Sequence, residues 1–298
     1  MEIRQLQILR ELGELGSVRA VAEALYVTPS AISQQLRLLQ ATVAVPLTER
    51  TGRRLTLTDA GHALAAAASE VDTALARARH AVDAFIDDPS GTVRVAAFLS
   101  AGAAFFPPLI EAFSQSGTHL CLADEDVAQS EFAPLTGTYD IVPAHRLDHT
   151  PAWPTSVTTT ALLHEPLDVA VPRTHRLADK QYVTPHDTAS EPWITVDDGF
   201  PLFGTIMAIS AAADRPLDVV HRINDFTVAG DVVAAGGGVA LMPRWTTRQP
   251  PGVVLRPLAG VHARRRVDAL CRPERTVRRS VAAVLDQLLH TAAQIQRA

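Results

Sequence analysis

The sequence predicts an α/β fold that carries a small, all-α winged domain at its N-terminus. Three observations predict it. Residues 1–57 hold short amphipathic stretches of helical period. Residues 58–88 form one long helical stretch without an internal proline until the "DDPSG" that closes it. Residues 89–298 alternate short β-branched runs with helical ones, the pattern of strands joined by helices. With 298 residues, 47% of them hydrophobic, the chain has material for two or three domains.

In the first segment, Leu6, Leu9 and Leu12 space a short amphipathic helix, and Gly16-Ser17 breaks it. Ser17 is placed to cap a second helix over about 18–25. The third opens in "VTPSAISQQLRLLQ": Thr28 sits as N-cap and Pro29 at the first helical position, where its missing N–H costs nothing. Val27 and Ile32 occupy the two positions of a hydrophobic staple, so a helix is expected over 29–42. Thr51-Gly52 then marks a turn, and Leu55 and Leu57 alternate with Thr56 and Thr58, so "VPLTERTGRRLTLT" reads as a β-hairpin.

The second segment is capped by Thr58. Its apolar residues fall at Leu64, Ala68, Val71, Leu75, Ala78, Val82 and Phe85, spaced alternately by four and three. That is a heptad seam for a partner helix, and it points to a homodimer. The competing reading is a surface helix docked on its own domain. In the third segment, "TVRVAAF", "HLCLA", "LDVAV", "WITV", "LDVVHRI" and "GVALMP" read as strands, with helices over 203–213, 226–235 and 276–295. Two mostly parallel sheets with a cleft between them are expected, divided into a subdomain of about 89–163 plus 267–298 and another of about 164–266.

Two short helices joined by a tight turn are the geometry of a helix-turn-helix, whose second helix lies in the major groove. The polar face of 29–40 suits that place. Ser30 and Ser33 are small enough for close approach, while Gln34 and Arg37 can read base edges. The free N–H groups behind Thr28 and Pro29 suit a phosphate. Arg50, Arg53 and Arg54 gather at the hairpin, a wing for backbone or minor-groove contact. The net charge of −5 excludes a chain coated in basic patches but leaves room for such a local site.

The stretch "SVRAVAEALYVTPSAISQQLRLLQATVAVPLTERTGRRLTLTDAG" resembles the N-terminal domain of LysR-type transcriptional regulators. The likeness rests on the Ala20/Ala22/Leu25 helix, "PSAISQQL", the L-x-E-R entry to the wing, and "LTDAG" at the start of the long helix. It is strong over about 1–62 and weaker beyond. It implies a bacterial regulator that binds a double-stranded DNA operator, dimerises through the long linker helix and often assembles as a homotetramer. It also implies a two-subdomain effector domain, like a periplasmic binding protein, that takes a small-molecule effector between its halves. A second reading keeps the DNA binding but gives the C-terminal domain only an oligomerising role. The family often has glutamate where Gln40 stands, glycine at Ala44 and phenylalanine at Thr48. A looser wing is expected from those departures, without loss of a DNA-contacting group.

In α/β domains ligands sit beyond the carboxyl ends of strands. "VRVAAFLSAGAAF" is expected to end a strand near Phe98 and begin a helix after Ser100, making Ser100 a cap and, with Ala101, a cleft residue. The matching position in the resembling family often contacts effector. Thr195 and Thr227 have similar strand-end and helix-start placements, and Phe203 is a candidate apolar wall. Hydroxyls beside helix-start N–H groups favour an anionic or amide-bearing effector.

Other chemistry is weak or absent. His145 and His149 have an HxxxH spacing but no third or fourth ligand, so a surface loop is expected rather than a metal site. "AGGGVALMP" lacks the Lys-Ser/Thr of a phosphate loop, and the run Arg264-Arg265-Arg266 reads as a solvated edge. No GxSxG, HExxH or nucleophilic-cysteine setting is present, so neither an enzyme nor a cofactor is indicated. Cys121 and Cys271 form no CxxC, no apolar run is long enough to span a membrane, and no secretory leader opens the chain, so a cytoplasmic location is expected.

Overall fold

The structure, a computed structural model, describes residues 1–51, 54–83, 91–198, 200 and 202–297. The N-terminal domain begins with α1 (Ile3–Leu15), which buries Leu6, Ile8, Leu9 and Leu12. Gly16, at φ 67, takes the left-handed conformation that ends the helix, and its N–H bonds Leu12 O. In α2 (Val18–Ala24) the Ser17 hydroxyl accepts from Ala20 N–H at 3.0 Å. In α3 (Pro29–Gln40) Thr28 Oγ1 accepts from Ala31 N–H at 3.3 Å, with Ile32, Leu36 and Leu39 turned into the core. β1 (Thr48–Thr51) and β2 (Arg54–Leu57) pair antiparallel as the expected hairpin.

The loop into the wing is held where looseness was expected. The Gln40 amide donates to Val45 O and accepts from Leu47 N–H, both at 2.8 Å, and Leu47 is buried. α4 (Asp59–Asp83) follows, with Thr58 Oγ1 accepting from Gly61 N–H at 3.1 Å. Gly61 is required there, since a Cβ would lie 2.0 Å from Leu47 O.

The C-terminal domain runs β3 (Gly91–Ala97), α5 (Leu99–Phe113), β4 (Thr118–Asp124), α6 (Gln129–Leu135), β5 (Val142–Leu147), β6 (Thr158–Pro172), α7 (Pro185–Thr188), β7 (Pro192–Thr195), α8 (Phe203–Ala212), β8 (Asp218–Arg222), α9 (Phe226–Ala234), β9 (Val239–Pro243), β10 (Val253–Pro257), β11 (Arg264–Cys271) and α10 (Arg279–Ile295). β3 and β4 pair in parallel, and a longer path runs β5-β11-β6-β9-β7-β8, with β10 also on β6. The expectation of mostly parallel sheets is corrected here. β6 pairs antiparallel with β9, β10 and β11, and β11 does so with β5, because these two strands return across the domain.

Among the described residues of this domain three apolar clusters result. The first joins Val93, Val95, Phe105, Phe132, Leu163, Val267, Val284 and Leu288. The second joins Leu167, Val169, Trp193, Ile206, Ile209 and Leu241, and a smaller one joins Ile194, Val233, Met242 and Val253. β6 and β11 contribute to the first core, and β6 continues into the second. A register shift between Val267 and Asp268 breaks their pairing near the passage from one lobe to the other.

Three sequence expectations fail locally. Phe98, not Ser100, is the N-cap of α5, so Ser100 lies inside its first turn. The run Arg264-Arg265-Arg266 is the start of β11 rather than a solvated edge, and strand alternation turns Arg265 fully inward. His145 is not in a surface loop. It is buried on β5, packed between Phe98 and Phe132, while His149 is exposed.

Candidate DNA-binding face and effector cleft

α3 presents two chemically distinct sides because its apolar residues recur at helical spacing. Ile32, Leu36 and Leu39 meet α1 and α2, while Thr28, Pro29, Ser30, Gln34 and Arg37 are exposed and Ser33 is half-buried. Several polar groups are pre-set by local bonds. Thr28 and Ser30 share a hydroxyl–hydroxyl bond of 2.9 Å, Ser33 Oγ donates to Pro29 O at 2.9 Å, and Arg37 Nε donates to Ser33 O at 3.3 Å. Arg50 is exposed on β1 and Arg54 opens β2 opposite Thr51. Arg53 lies outside the described residues. The turn before α3 has a feature the sequence reading missed. Tyr26 is 91% exposed and sits at φ 53, a left-handed conformation that a bulky side chain rarely adopts.

On α4 the expected seam is divided. Ala68 is buried and Leu64 half-buried in the N-terminal core, because α1 lies across the start of α4. Those two positions therefore serve the domain's own packing. Val71 is exposed and Leu75 half-buried on the next turns. The Val82 side chain and Phe85 lie outside the described residues.

In the C-terminal domain, a buried polar cluster ties α5 to the crossing strands. Arg265, 0% exposed, donates from Nε to Glu165 Oε2 at 2.9 Å, and from Nη2 to Ser100 Oγ at 2.9 Å and Thr246 Oγ1 at 2.7 Å. The second Glu165 oxygen accepts from the backbone N–H groups of Trp245 and Thr246 at 2.8 and 2.6 Å. The guanidinium also lies 5.0 Å from the Phe98 ring centre and 5.8 Å from that of Phe226, so it touches rings from both lobes. Ala101 is buried beside Ser100. The His145 ring packs tilted against Phe98, 4.4 Å between ring centres. Burial, and then the charge of Arg265, push the His145 imidazolium well below the usual histidine range.

The remaining candidates do not all converge. Thr195 is buried at the end of β7 with its Oγ1 unpartnered, in a small cavity shared with Leu202, Ile206, Ile223 and Phe226. Thr227 is exposed in the first turn of α9, and Phe203 packs on the second-lobe core without lining that cavity. The α9 N-terminus is already occupied, since Asp225 Oδ1 accepts from Thr227 and Val228 N–H groups at 2.7 and 3.2 Å. Arg265, Glu165 and Thr246 were invisible to motif reading. The available signal was the alternation of β11, which turns one arginine of three inward.

Comparison with known proteins shows the family and the fold. Residues 3–62 match the bacterial regulatory helix-turn-helix model of the lysR family, and residues 87–293 match the LysR substrate-binding domain. The chain is 30% identical over 258 residues to the transcriptional dual regulator GltC of Bacillus subtilis, covering 83% of this chain and 82% of that protein. It is 26% identical over 287 residues to the DNA-binding transcriptional dual regulator OxyR of Escherichia coli, covering 92% and 90%. Among solved structures, full-length OxyR from Pseudomonas aeruginosa shares the fold with a TM-score of 0.63 at 19% identity, over 98% of this chain and 94% of that one. Full-length CbnR in complex with its target DNA does so with a TM-score of 0.52 at 21% identity, over 98% and 100%.

Proposed function

The chain belongs to the LysR family of helix-turn-helix transcriptional regulators, and from that premise we propose that α3 reads an operator while the cleft beside Arg265 takes the controlling effector. The family's members bind DNA and small-molecule effectors and act as oligomers. The observation that carries the DNA reading is the amphipathic division of α3: the side opposite its buried Ile32, Leu36 and Leu39 is polar and open. Gln34 and Arg37 are the base-reading groups; Ser30 and Ser33 let the helix approach; Thr28, Pro29 and the wing residues Arg50, Arg53 and Arg54 hold phosphates. Dimers form through Val71, Leu75 and Val82 on the far part of α4, and Phe85 beyond it in the sequence. Paired effector domains extend them to tetramers.

For the effector, Ser100, Ala101, Thr195 and Phe226 are the lining that fits best. The expectation of an anionic ligand narrows on two grounds. The Arg265 charge is already met by Glu165, and the α9 N-terminus by Asp225. An uncharged or amide-bearing molecule that exchanges hydrogen bonds with hydroxyls suits what remains. No catalytic arrangement is part of this reading, and the site of action is the cytoplasm. Among the described residues no helix is long and apolar enough to cross a membrane.

Binding to a duplex selected by the protein from a random pool tests the first half. Affinity should fall steeply with salt and vanish on deletion of residues 1–57. Persistence of binding in the deletion would sink it. A metabolite screen by thermal shift on the whole chain tests the second. A hit that melts Ser100→Val at the same raised temperature would place the effector elsewhere.

A further inference from the structure

The polar face of α1 is where the two domains of one chain meet. Arg272, just after β11, donates from Nη2 to Glu11 at 2.9 Å and to Glu14 at 2.7 Å, with Nη1 also on Glu11. Arg10 Nη1 lies 2.8 Å from Asp72 of α4 and 2.9 Å from Glu274, and Gln7 bonds the other Asp72 oxygen at 2.8 Å. Arg10, Glu11, Asp72 and Arg272 are all buried. Burial pushes the Glu11 carboxyl up, but Arg272 and Arg10 hold it below the ordinary carboxylate range; for Glu14 burial prevails and raises it.

The centre of this contact is ionic. It joins two arginines to four carboxylates. Arg10 Nε, Arg272 Nε and Glu274 Oε2 are buried without hydrogen-bond partners. Large clefts flank it, of about 800 Å³ along α4, and of about 640 Å³ beside Trp153 and Glu14. Buried ion pairs of this kind add little net stability but hold one geometry, and water can reclaim them when the surfaces part. The recognition side of α3 is not covered, so the contact sets where the DNA-binding domain stands rather than whether its face is free.

The other end of the same strand reaches the cleft. Arg265, near the start of β11, and Arg272, just past its end, are seven positions apart, or roughly 23 Å along an extended strand. β11 is paired on both sides, by β5 and β6, with a register shift against β6 between Val267 and Asp268, so one continuous strand joins the two arginines.

We propose that Arg272 and Glu274 form a docking surface for the Gln7–Glu14 face of α1 in the same chain, and that β11 links the state of the Arg265 cleft to this latch. A displacement of Arg265 moves Arg272 and thereby the position of α3 relative to the effector domain. For a dimer reading two half-sites, that position sets the spacing of the two recognition helices. The strand link rests on the cleft reading above; the latch does not.

Distance measurement between spin labels tests the latch by itself. Native Cys121 is exposed and Glu23→Cys supplies a second exposed site, while Cys271 is buried and its thiol is pushed up to about 12, which keeps it unlabelled. Labelled chains diluted in unlabelled ones should give one narrow distance. Arg272→Met should broaden and lengthen it, and the swap Glu11→Arg with Arg272→Glu should narrow it again. A distribution unchanged in a folded Arg272→Met protein, or already broad in the unsubstituted one, overturns the latch. The strand link is read by operator affinity. Ser100→Val and Arg272→Met are far enough apart to act additively unless β11 couples them. A departure from additivity of about threefold or more supports the link, and additive effects overturn it while leaving the latch standing.

Discussion

Arg265 Nη2 and Ser100 Oγ lie 2.9 Å apart, and through that bond the first turn of α5 is held to β11, the strand between β5 and β6. The guanidinium is fully buried with Glu165 as its counter-charge, so each member is costly to remove alone. Ser100→Val leaves one guanidinium hydrogen without its partner and should cost about 1–3 kcal/mol of stability. Arg265→Met strands the Glu165 carboxylate and should cost about 3–5 kcal/mol. The double variant Glu165→Leu with Arg265→Met should lose less than the sum of its parts. Urea unfolding midpoints measure all three, and equal costs for Ser100→Val and Arg265→Met would show that the pair is not the centre of the cluster.

On the DNA side, Gln34 and the wing arginines should separate by kind of loss. Gln34 is exposed in the middle of the α3 polar face, with Ile32 and Leu36 buried behind it. Gln34→Ala should weaken the selected duplex by about 1–3 kcal/mol and random duplex far less. Arg53→Ala with Arg54→Ala should weaken both alike and flatten the salt dependence. Equal losses on both duplexes for Gln34→Ala would assign it to the backbone.

The α4 reading is tested beyond the part that α1 covers. Leu75→Glu places an unpaired carboxylate on a half-buried face that the N-terminal core does not claim. It should yield monomers in sedimentation and weak operator binding, since two half-sites need two recognition helices. Leu64→Glu should instead lower the thermal stability of the N-terminal domain, because Leu64 packs into its core. A dimeric Leu75→Glu protein would move the interface off this helix.

Much of this architecture is legible locally, and the reason is chemical. Ser17, Thr28 and Thr58 each cap the helix they precede, because a short hydroxyl before an apolar period has one local use. The recognition helix, the hairpin and most strands follow from the same kind of signal. The cleft does not. Arg265 reads as one of three exposed arginines until Glu165, a hundred positions earlier, is found against it. Ser100 reads as a cap, although Phe98 holds that position and the hydroxyl goes to Arg265. His145 reads as a surface-loop residue until β5 turns it inward between two phenylalanines. The charged face of α1 likewise finds partners far along the chain, in Arg272 and Glu274. Each failure concerns a polar group whose surroundings come from elements distant in sequence; strand alternation marks which side chain turns inward but not what it meets.

Tyr26 offers a direct test of local strain. It joins α2 to α3 at φ 53, and a left-handed residue with a side chain costs about 1–2 kcal/mol unless its shape suits the turn. Its ring gives nothing back within the fold, being 91% exposed. Tyr26→Asn should raise the stability of the N-terminal domain by about 0.5–1 kcal/mol, since asparagine tolerates that conformation better. Calorimetry of the whole chain reads the change. A drop in stability would mean that the tyrosine ring holds the turn.

His145 predicts a dependence on pH whose sign can be worked out. Burial and the Arg265 charge keep its folded-state pKa well below 6.5, so the folded protein holds it neutral. The unfolded chain takes up a proton near 6.5. Above that value neither state binds the proton, and the site contributes its full stability. As pH falls below it, the unfolded state alone gains the proton, and stability is lost at about 1.4 kcal/mol per pH unit until the folded pKa is reached. His145→Phe removes this titration. It also replaces an unpartnered buried Nδ1 with carbon, beside Phe98 and Phe132, whose rings already meet edge to face. The variant should therefore equal or exceed the unsubstituted protein at pH 7.5, and its advantage should widen steadily toward pH 5. Denaturant midpoints at matched ionic strength measure the gap. A gap that stays constant across this range would mean that His145 is charged in the fold or reached by solvent, and its buried, neutral state would have to be abandoned.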